Sequence, residues 1–202
     1  MPQERLIAPE DLIGLPSREF IFWLAKENPQ IAQFSLTLYK RRAPNPSNFQ
    51  EKIDTPKDEL VVVEKNQLLR DKIENLLFYG YERDLSLALN SNILLQDGKI
   101  GQIPMADFNC EINNQNSNLI KKLMKEINLP GFLIVSGNSY HTLSKKLFIN
   151  DNHKWEQFLG KCLLSNLADN RHIGHSLDRG YASLRISHSE KGAEPRIVDV
   201  IL

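Results

Sequence analysis

The chain has 202 residues, of which 41% are hydrophobic and 25% are charged, a composition typical of one soluble globular domain. Its 25 basic and 25 acidic residues cancel, so no overall positive field is present to attract nucleic acid. Neither an apolar run long enough to cross a bilayer nor a secretory signal is visible, and we expect a cytoplasmic protein. Cys110 and Cys162 lie within apolar patterns and are expected to be reduced core residues.

The first third of the chain predicts a helix, a strand and a second helix. The helix start signal Pro16-Ser17 precedes an apolar face formed by Phe20, Trp23 and Leu24. Residues 34–39 alternate in polarity, which is typical of a strand, and residues 42–56 have the composition of a loop. A helix is predicted from about Asn66 by the spacing of Leu69, Ile73, Leu76 and Leu77.

From about residue 92 the pattern predicts a second group of elements. Residues 93–95 and 100–111 form a predicted hairpin around Asp97-Gly98. Ser117 is the predicted N-cap of a helix that ends at Ile127, with Leu119 among its inward residues. Buried strand 132–135 is expected to pair with residues 147–149. A helix over 153–167 and strands over 182–187 and 196–202 complete an α/β (α+β) pattern.

An acidic segment begins at Asp107. In an extended strand Asp107, Asn109 and Glu111 would share one face, because side chains two residues apart point the same way. Clustered oxygen ligands of this kind suit Mg²⁺ or Mn²⁺. A solvated face at a sheet edge is the alternative interpretation.

The segment from Ser136 to His141 directly follows the buried strand. Gly137 permits a sharp turn, and backbone N–H groups at a strand end can point at an anion. The Ser136 hydroxyl and the His141 imidazole are further phosphate-binding groups. A polar turn, with His141 as a core histidine, remains the alternative.

Two arginines, Arg179 and Arg185, enclose Gly180 and are spaced to clamp a triphosphate, since arginine binds phosphate with two hydrogen bonds. A charged surface turn is the alternative. His172 and His175 have a spacing found in zinc sites, but no second pair of ligands lies nearby. The sequence also lacks a phosphate-binding loop ending in Gly-Lys-Ser/Thr and a Gly-x-Ser-x-Gly nucleophile motif.

Taken in order, these segments resemble the archaeo-eukaryotic primase superfamily, the catalytic core of primase-polymerases. Asp107-Phe108-Asn109 stands where that family has two acids one residue apart, and the segment from Ser136 to His141 matches its second motif. Residues 184–195 loosely resemble its arginine-rich stretch, and Asp169 or Asp178 stands for a third acid. The resemblance covers about residues 92–202. It implies a mixed sheet with flanking helices, preceded by an N-terminal accessory α/β layer of the same domain over residues 1–91.

The resemblance implies metal-dependent nucleotidyl transfer from a nucleoside triphosphate on a DNA or RNA template, with Mg²⁺ or Mn²⁺ as cofactor and a helicase or replication protein as a possible partner. Asp107 would be the main metal ligand, assisted by Asn109 or Glu111, with Asp169 as third acid. The implied nucleotide-binding residues are Ser136, Gly137, His141, Arg179, Arg185 and Lys191.

Asn109 is neutral where the family has an acid, which removes a charge that a two-metal site needs. We therefore expect weakened activity that is better with Mn²⁺ than with Mg²⁺. The alternatives are a non-catalytic nucleotide or nucleic-acid binding module on the same fold and a metal-dependent phosphodiesterase.

Overall fold

The computed structural model describes residues 8–40, 58–66, 68–188 and 193–202. After a short 3₁₀ turn at Pro9–Leu12, the helices in these ranges are α1 (Glu19–Glu27), α2 (Leu69–Glu82), α3 (Asn114–Glu126), α4 (Asn152–Leu164) and α5 (Asn170–Arg179). The strands are β1 (Ile31–Tyr39), β2 (Glu59–Glu64), β3 (Ser86–Leu95), β4 (Ile100–Gln102), β5 (Met105–Phe108), β6 (Gly131–Ser136), β7 (Ser139–Ser144), β8 (Phe148–Ile149), β9 (Ser183–Arg185) and β10 (Arg196–Ile201).

The strands form two sheets, which confirms the predicted α+β class. The larger sheet has the order β2-β1-β3-β4-β8, with β9 also paired to β3, and the smaller has the order β10-β6-β7-β5. Within the described residues every ladder is antiparallel, so two antiparallel sheets take the place of the expected mixed sheet. Strand β3 runs across residues 91 and 92, so the proposed N-terminal layer and core share one sheet.

The chain crosses from the larger to the smaller sheet at Ile103-Pro104. The Ile103 N–H still donates to Ser91 in the larger sheet, whereas the Pro104 carbonyl accepts from the N–H of Ser144 in the smaller. Proline has no N–H to continue a ladder. The expectation of one strand over residues 100–111 is therefore wrong, although the β3–β4 hairpin around Asp97-Gly98 is confirmed.

The segment that begins at Ser136 is a tight hairpin between β6 and β7. Gly137 and Asn138 form its two-residue turn, and the φ of +65° at Gly137 is typical of a type II′ turn. The expected pairing of residues 147–149 with β6 is wrong, because β7 fills that place and β8 pairs with β4 instead. Strand β5 pairs with the other edge of β7, so β5 and β6 run parallel on either side of it.

Two helices differ from the sequence prediction. Helix α3 starts one turn early, because the Asn113 side chain rather than Ser117 caps it by accepting from the Asn116 N–H at 2.8 Å. Leu119, expected inside, is 43% exposed. Helix α5 occupies a segment for which no helix was predicted. Few apolar residues mark it, and Ile173 and Ser176 are its buried positions.

The remaining elements follow the prediction closely. Helices α1, α2 and α4 and strands β1, β9 and β10 are confirmed within a few residues, whereas edge strand β2 was missed. The predicted loop over 42–56 lies outside the described residues. Cys162 is buried and Cys110 half-buried, and both are free thiols. No helix in the described ranges has the length and apolarity to span a membrane.

An aromatic cluster joins the N-terminal helix to the smaller sheet. The ring of Phe132 on β6 meets Phe20 and Trp23 of α1 edge-on, with centroids 5.6 and 5.3 Å away. Such pairs add stabilisation beyond the area that they bury. Helix α1 therefore fixes β6, and with it the hairpin that carries Ser136 and His141.

Gly131, at the start of β6, is expected to tolerate no side chain. A Cβ there would lie 2.2 Å from the carbonyl oxygen of Leu143 and 2.8 Å from the Cα of Ser144. Gly131→Ala should lower the free energy of unfolding by about 1–3 kcal/mol, the usual cost of overpacking. Urea denaturation measures it. Gly160→Ala is the matched control, because that helical position is open and alanine should stabilise it by about 0.5–1 kcal/mol. Equal effects would contradict the packing argument.

Candidate functional site

A polar cleft of about 330 Å³ lies where the smaller sheet meets β9 and the end of β1. This volume is within the range of about 300–1,000 Å³ that is usual for small-molecule sites. The residues that line it come from both sheets and from the hairpin turn: Tyr39, Asp107, Ser136, Gly137, Asn138, Ser139, His141, Ser183, Leu184 and Arg185. The cleft thus brings Asp107 together with Ser136 and His141, which lie in a later segment of the chain.

Strand register places these polar side chains on one face. Asp107 is directly opposite His141 across β5 and β7, and Ser136 is opposite Ser139 across β6 and β7. Residues 139 and 141 are two apart on β7 and therefore share a face. The Nε2 atom of His141 is 3.4 Å from Oδ1 of Asp107.

Burial sets the protonation of this pair. Loss of solvent, helped by the positive charge of Arg185, lowers the pKa of His141 to about 3, so its imidazole is neutral at physiological pH. Burial also raises the pKa of Asp107, and the negative charge of Asp169 adds to the rise, whereas His172 opposes it. The negative charge of ionised Asp107 is therefore only partly compensated by the surrounding protein.

Backbone pairing places Asp169 next to Asp107. Ala168 forms an isolated bridge with Phe108, and the Asp169 N–H donates to the Asp107 carbonyl at 2.9 Å. The Asp169 carboxylate caps α5 by accepting from the N–H groups of Arg171 and His172. Burial alone would raise the pKa of Asp169, but these hydrogen bonds together with Arg171 lower it. Asp169 is therefore a stably ionised neighbour of Asp107.

Arg185 links the two sheets beside the cleft. Its Nη2 donates to the Ser136 hydroxyl at 3.2 Å, and its Nη1 donates to the carbonyls of Ser187 at 2.8 Å and Ala193 at 3.1 Å. The side chain is 9% exposed. A guanidinium held in this way presents a fixed positive charge to whatever occupies the cleft.

Several predicted site residues lie elsewhere. The expectation that Asn109 and Glu111 share a strand face with Asp107 is wrong, because β5 ends at Phe108 and both are exposed beyond it. Their role as metal ligands stays a prediction. Arg179 is the exposed last residue of α5 and does not line the cleft, so it forms no clamp there with Arg185. Asp178 is also exposed, and Lys191 lies outside the described residues.

Sequence reasoning missed several residues of the site. Ser139 was detectable, since it is two residues from His141 on one strand, but Tyr39 and Ser183 come from distant strands of the larger sheet. His172, on the first turn of α5, had been considered only with His175 for zinc. Its buried Nε2 has no hydrogen-bond partner within the described part of the chain. Burial lowers its pKa, against the charges of Asp107 and Asp169.

The carboxylates fit a divalent ion only in part. No group of three or more histidine, cysteine, aspartate or glutamate side chains in the described ranges is arranged to hold a metal. Mg²⁺ often binds through one or two carboxylates and completes its shell with water and substrate phosphates. Asp107 is the one carboxylate among the described cleft-lining residues, so the cleft itself offers a single acidic ligand to such an ion.

One comparison identifies the family. A family model described as AEP-like, archaeo-eukaryotic primase 1D-like, matches residues 65–196, which is more than half of the chain. The chain therefore belongs to this archaeo-eukaryotic primase-like family, part of a superfamily of primase-like nucleotidyltransferases that are generally dependent on divalent metals. No curated protein and no solved structure matches it. The matched range contains all the cleft residues except Tyr39.

Opposite stability effects are expected at the two aspartates. Because the pKa of Asp107 is raised on folding, stability falls as pH rises from the ordinary carboxyl pKa through the folded one, and the ionised group is a cost at neutral pH. Asp107→Asn should therefore raise the melting temperature at pH 7. Asp169→Ala removes a helix cap and should cost about 0.5–2 kcal/mol. Thermal unfolding at pH 7 measures both, and a destabilised Asp107→Asn protein would contradict the assignment.

His141 should make the protein sensitive to acid. Since the pKa of His141 falls to about 3 on folding, the unfolded chain binds a proton at this residue near pH 6.5, whereas the folded chain binds it only near pH 3. The free energy of unfolding should then decrease as pH falls from about 6.5 to about 3, by up to about 1.4 kcal/mol per pH unit. In urea titrations across this window, His141→Asn should show a shallower slope. His153→Asn, exposed on α4, is the control and should keep the wild-type slope. Parallel curves for wild type and His141→Asn would disprove a buried neutral imidazole.

Proposed function

We propose that the cleft binds a nucleoside triphosphate and that the protein transfers its nucleotidyl group to the 3′-hydroxyl of a DNA or RNA strand, with release of pyrophosphate. The observation that carries this proposal is the single polar face on which Asp107, Ser136 and His141 meet, with Arg185 hydrogen-bonded to Ser136. Membership of a primase-like nucleotidyltransferase family supports the reaction class.

The hairpin and Arg185 are the proposed triphosphate-binding elements. The neutral His141 imidazole can donate a hydrogen bond to a phosphate oxygen, and the hydroxyls of Ser136 and Ser139 offer further donors. Arg185 supplies a fixed positive charge for the negative charge that develops on the phosphates. Arg179 and Lys191 are proposed to add positive charge outside the cleft lining.

Asp107 and Asp169 are the proposed ligands for Mg²⁺ or Mn²⁺. When bound, the ion would neutralise phosphate charge and favour ionisation of the attacking hydroxyl. Burial raises the pKa of Asp107, so its ionised form is destabilised and would be stabilised more by a bound cation than that of Asp169. Asp169 is held in place by its capping hydrogen bonds and keeps its charge.

Loss of Asp107 should abolish transfer without unfolding the protein. Incorporation of labelled nucleotide on a primed template, with Mg²⁺ and with Mn²⁺, should fall at least about 100-fold in Asp107→Asn, which is the scale for losing one electrostatic group at a reacting centre. Asp178→Asn makes the same change of charge at an exposed position of α5 and should retain wild-type activity. Unaltered incorporation by Asp107→Asn would refute the proposal.

Arg185 should govern nucleotide affinity. Arg185→Ala removes a charge-assisted contact worth about 1.5–3 kcal/mol, so the Kd for a nucleoside triphosphate should rise by about tenfold or more. Calorimetric titration measures the Kd. Arg179→Ala is the comparison variant, and its Kd should rise less than that of Arg185→Ala, because Arg179 does not line the cleft. Ser136→Ala tests the same pocket without removing the link to Ser187 and Ala193. Wild-type affinity in both Arg185→Ala and Ser136→Ala would locate the nucleotide elsewhere.

A nucleotide-binding module without catalysis is the second candidate. It is favoured by the lack of a three-ligand metal group among the described side chains and by the position of Asn109 outside the cleft. Triphosphate binding that depends on Arg185, together with no incorporation in either metal, would support it over the transferase.

A further inference from the structure

A second groove, of about 480 Å³, lies between the C-terminal half of α2 and the segment around Glu194. One side is formed by Glu74, Phe78 and Tyr81 of α2, which are spaced so that they face the same direction. Asp84 and Glu194 extend the lining. The candidate nucleotide cleft uses none of these residues.

Two aromatic rings stand out of this groove into solvent. Phe78 is 64% exposed and Tyr81 is 81% exposed. Aromatic side chains are enriched where proteins bind partners, because they bury a large area with little loss of conformational freedom. Neighbouring Tyr79 is 38% exposed, has the guanidinium carbon of Arg83 3.8 Å from its ring centroid, and does not line the groove. The two more exposed rings of α2, Phe78 and Tyr81, therefore belong to the groove.

The groove is acidic. Glu74, Asp84 and Glu194 contribute three carboxylates, and Arg18 is the one arginine or lysine among the described lining residues. Arg18 already forms ion pairs with two of these carboxylates: its Nε is 3.3 Å from Glu74, and its Nη1 is paired with Glu194. The lining keeps a formal excess of two negative charges when His188 is neutral. Such a field repels the phosphates of nucleic acid and attracts cations.

We propose that this groove is a docking site for a partner protein that presents a short segment in which lysine or arginine flanks an apolar side chain. The apolar side chain would pack against Phe78 and Tyr81, and the basic groups would meet Glu74, Asp84 and Glu194. Charge complementarity selects this occupant over a nucleic acid strand. The proposal does not depend on the chemistry of the nucleotide cleft.

The groove also shares a wall with the cleft. Ser187 lines the groove, and its carbonyl accepts a hydrogen bond from Arg185, which lines the cleft. Ser86 lines the groove and pairs with Tyr39, which lines the cleft. A partner held in the groove would therefore be positioned one strand away from the cleft.

Selection from a random heptapeptide phage library on the full chain tests the proposal. Enriched peptides should combine lysine or arginine with leucine or an aromatic residue. They should bind wild type at least tenfold more tightly than the Phe78→Ser/Tyr81→Ser variant and than the Glu74→Gln/Asp84→Asn variant, and they should weaken as salt is raised. Because the replaced side chains are exposed and the lost Glu74–Arg18 ion pair lies at the surface, thermal unfolding should change little. Tyr79→Ser is the matched control on the same helix and should bind as wild type does.

Failure to enrich any peptide, or an acidic or uncharged consensus, would overturn the proposal. So would enriched peptides that bind both double variants as tightly as wild type. Displacement of the peptide by a single-stranded oligonucleotide would assign the groove to nucleic acid instead. A dimer in analytical ultracentrifugation that the Phe78→Ser/Tyr81→Ser variant abolishes would assign it to a second copy of the chain.

Discussion

The Asp107 carboxylate is held largely away from water beside an imidazole that carries no charge. The negative charge of ionised Asp107 is therefore not neutralised by its neighbour, because burial raises the pKa of Asp107 and lowers that of His141 to about 3. The nearby negative charge of Asp169 deepens the imbalance. Other interactions of the fold must offset this unfavourable free energy. They include the pairing of strands β6, β7 and β5 and the aromatic contact between α1 and β6. A ligand that brings positive charge to Asp107 would relieve this imbalance.

The sequence was informative wherever local rules decide the structure. Helical spacing located α1 and α4, and an Asp-Gly turn located the β3–β4 hairpin. The convergence of Asp107 and Ser136 followed from their positions at the ends of β5 and β6, and His141 lies on β7 between them. It holds because β7 lies between these strands and makes them parallel.

The parts that sequence reasoning missed depend on long-range pairing. The end of β5 is set by its partner β7, whose hairpin has only two turn residues, so Asn109 falls beyond the ladder. Asp169 was expected as a third acid only through the family resemblance. The backbone hydrogen bond that places it beside Asp107 joins segments about sixty residues apart, for which no sequence pattern exists. Helix α5 was not predicted, because its caps, Asp169 and Gly180, enclose a mostly polar segment.

The two-residue turn at Gly137-Asn138 has an evolutionary consequence. Ser136 and His141 point the same way because Ser136 lies directly opposite Ser139, and His141 is two residues beyond Ser139 on β7. A one-residue slip between β6 and β7 would turn Ser136 and His141 to opposite faces of the sheet. Insertions or deletions in this turn are therefore compatible with the site only when they change the loop and leave the pairing of Ser136 with Ser139 intact. Gly131 constrains the far end of the same pairing, because a side chain there would collide with Leu143 and Ser144.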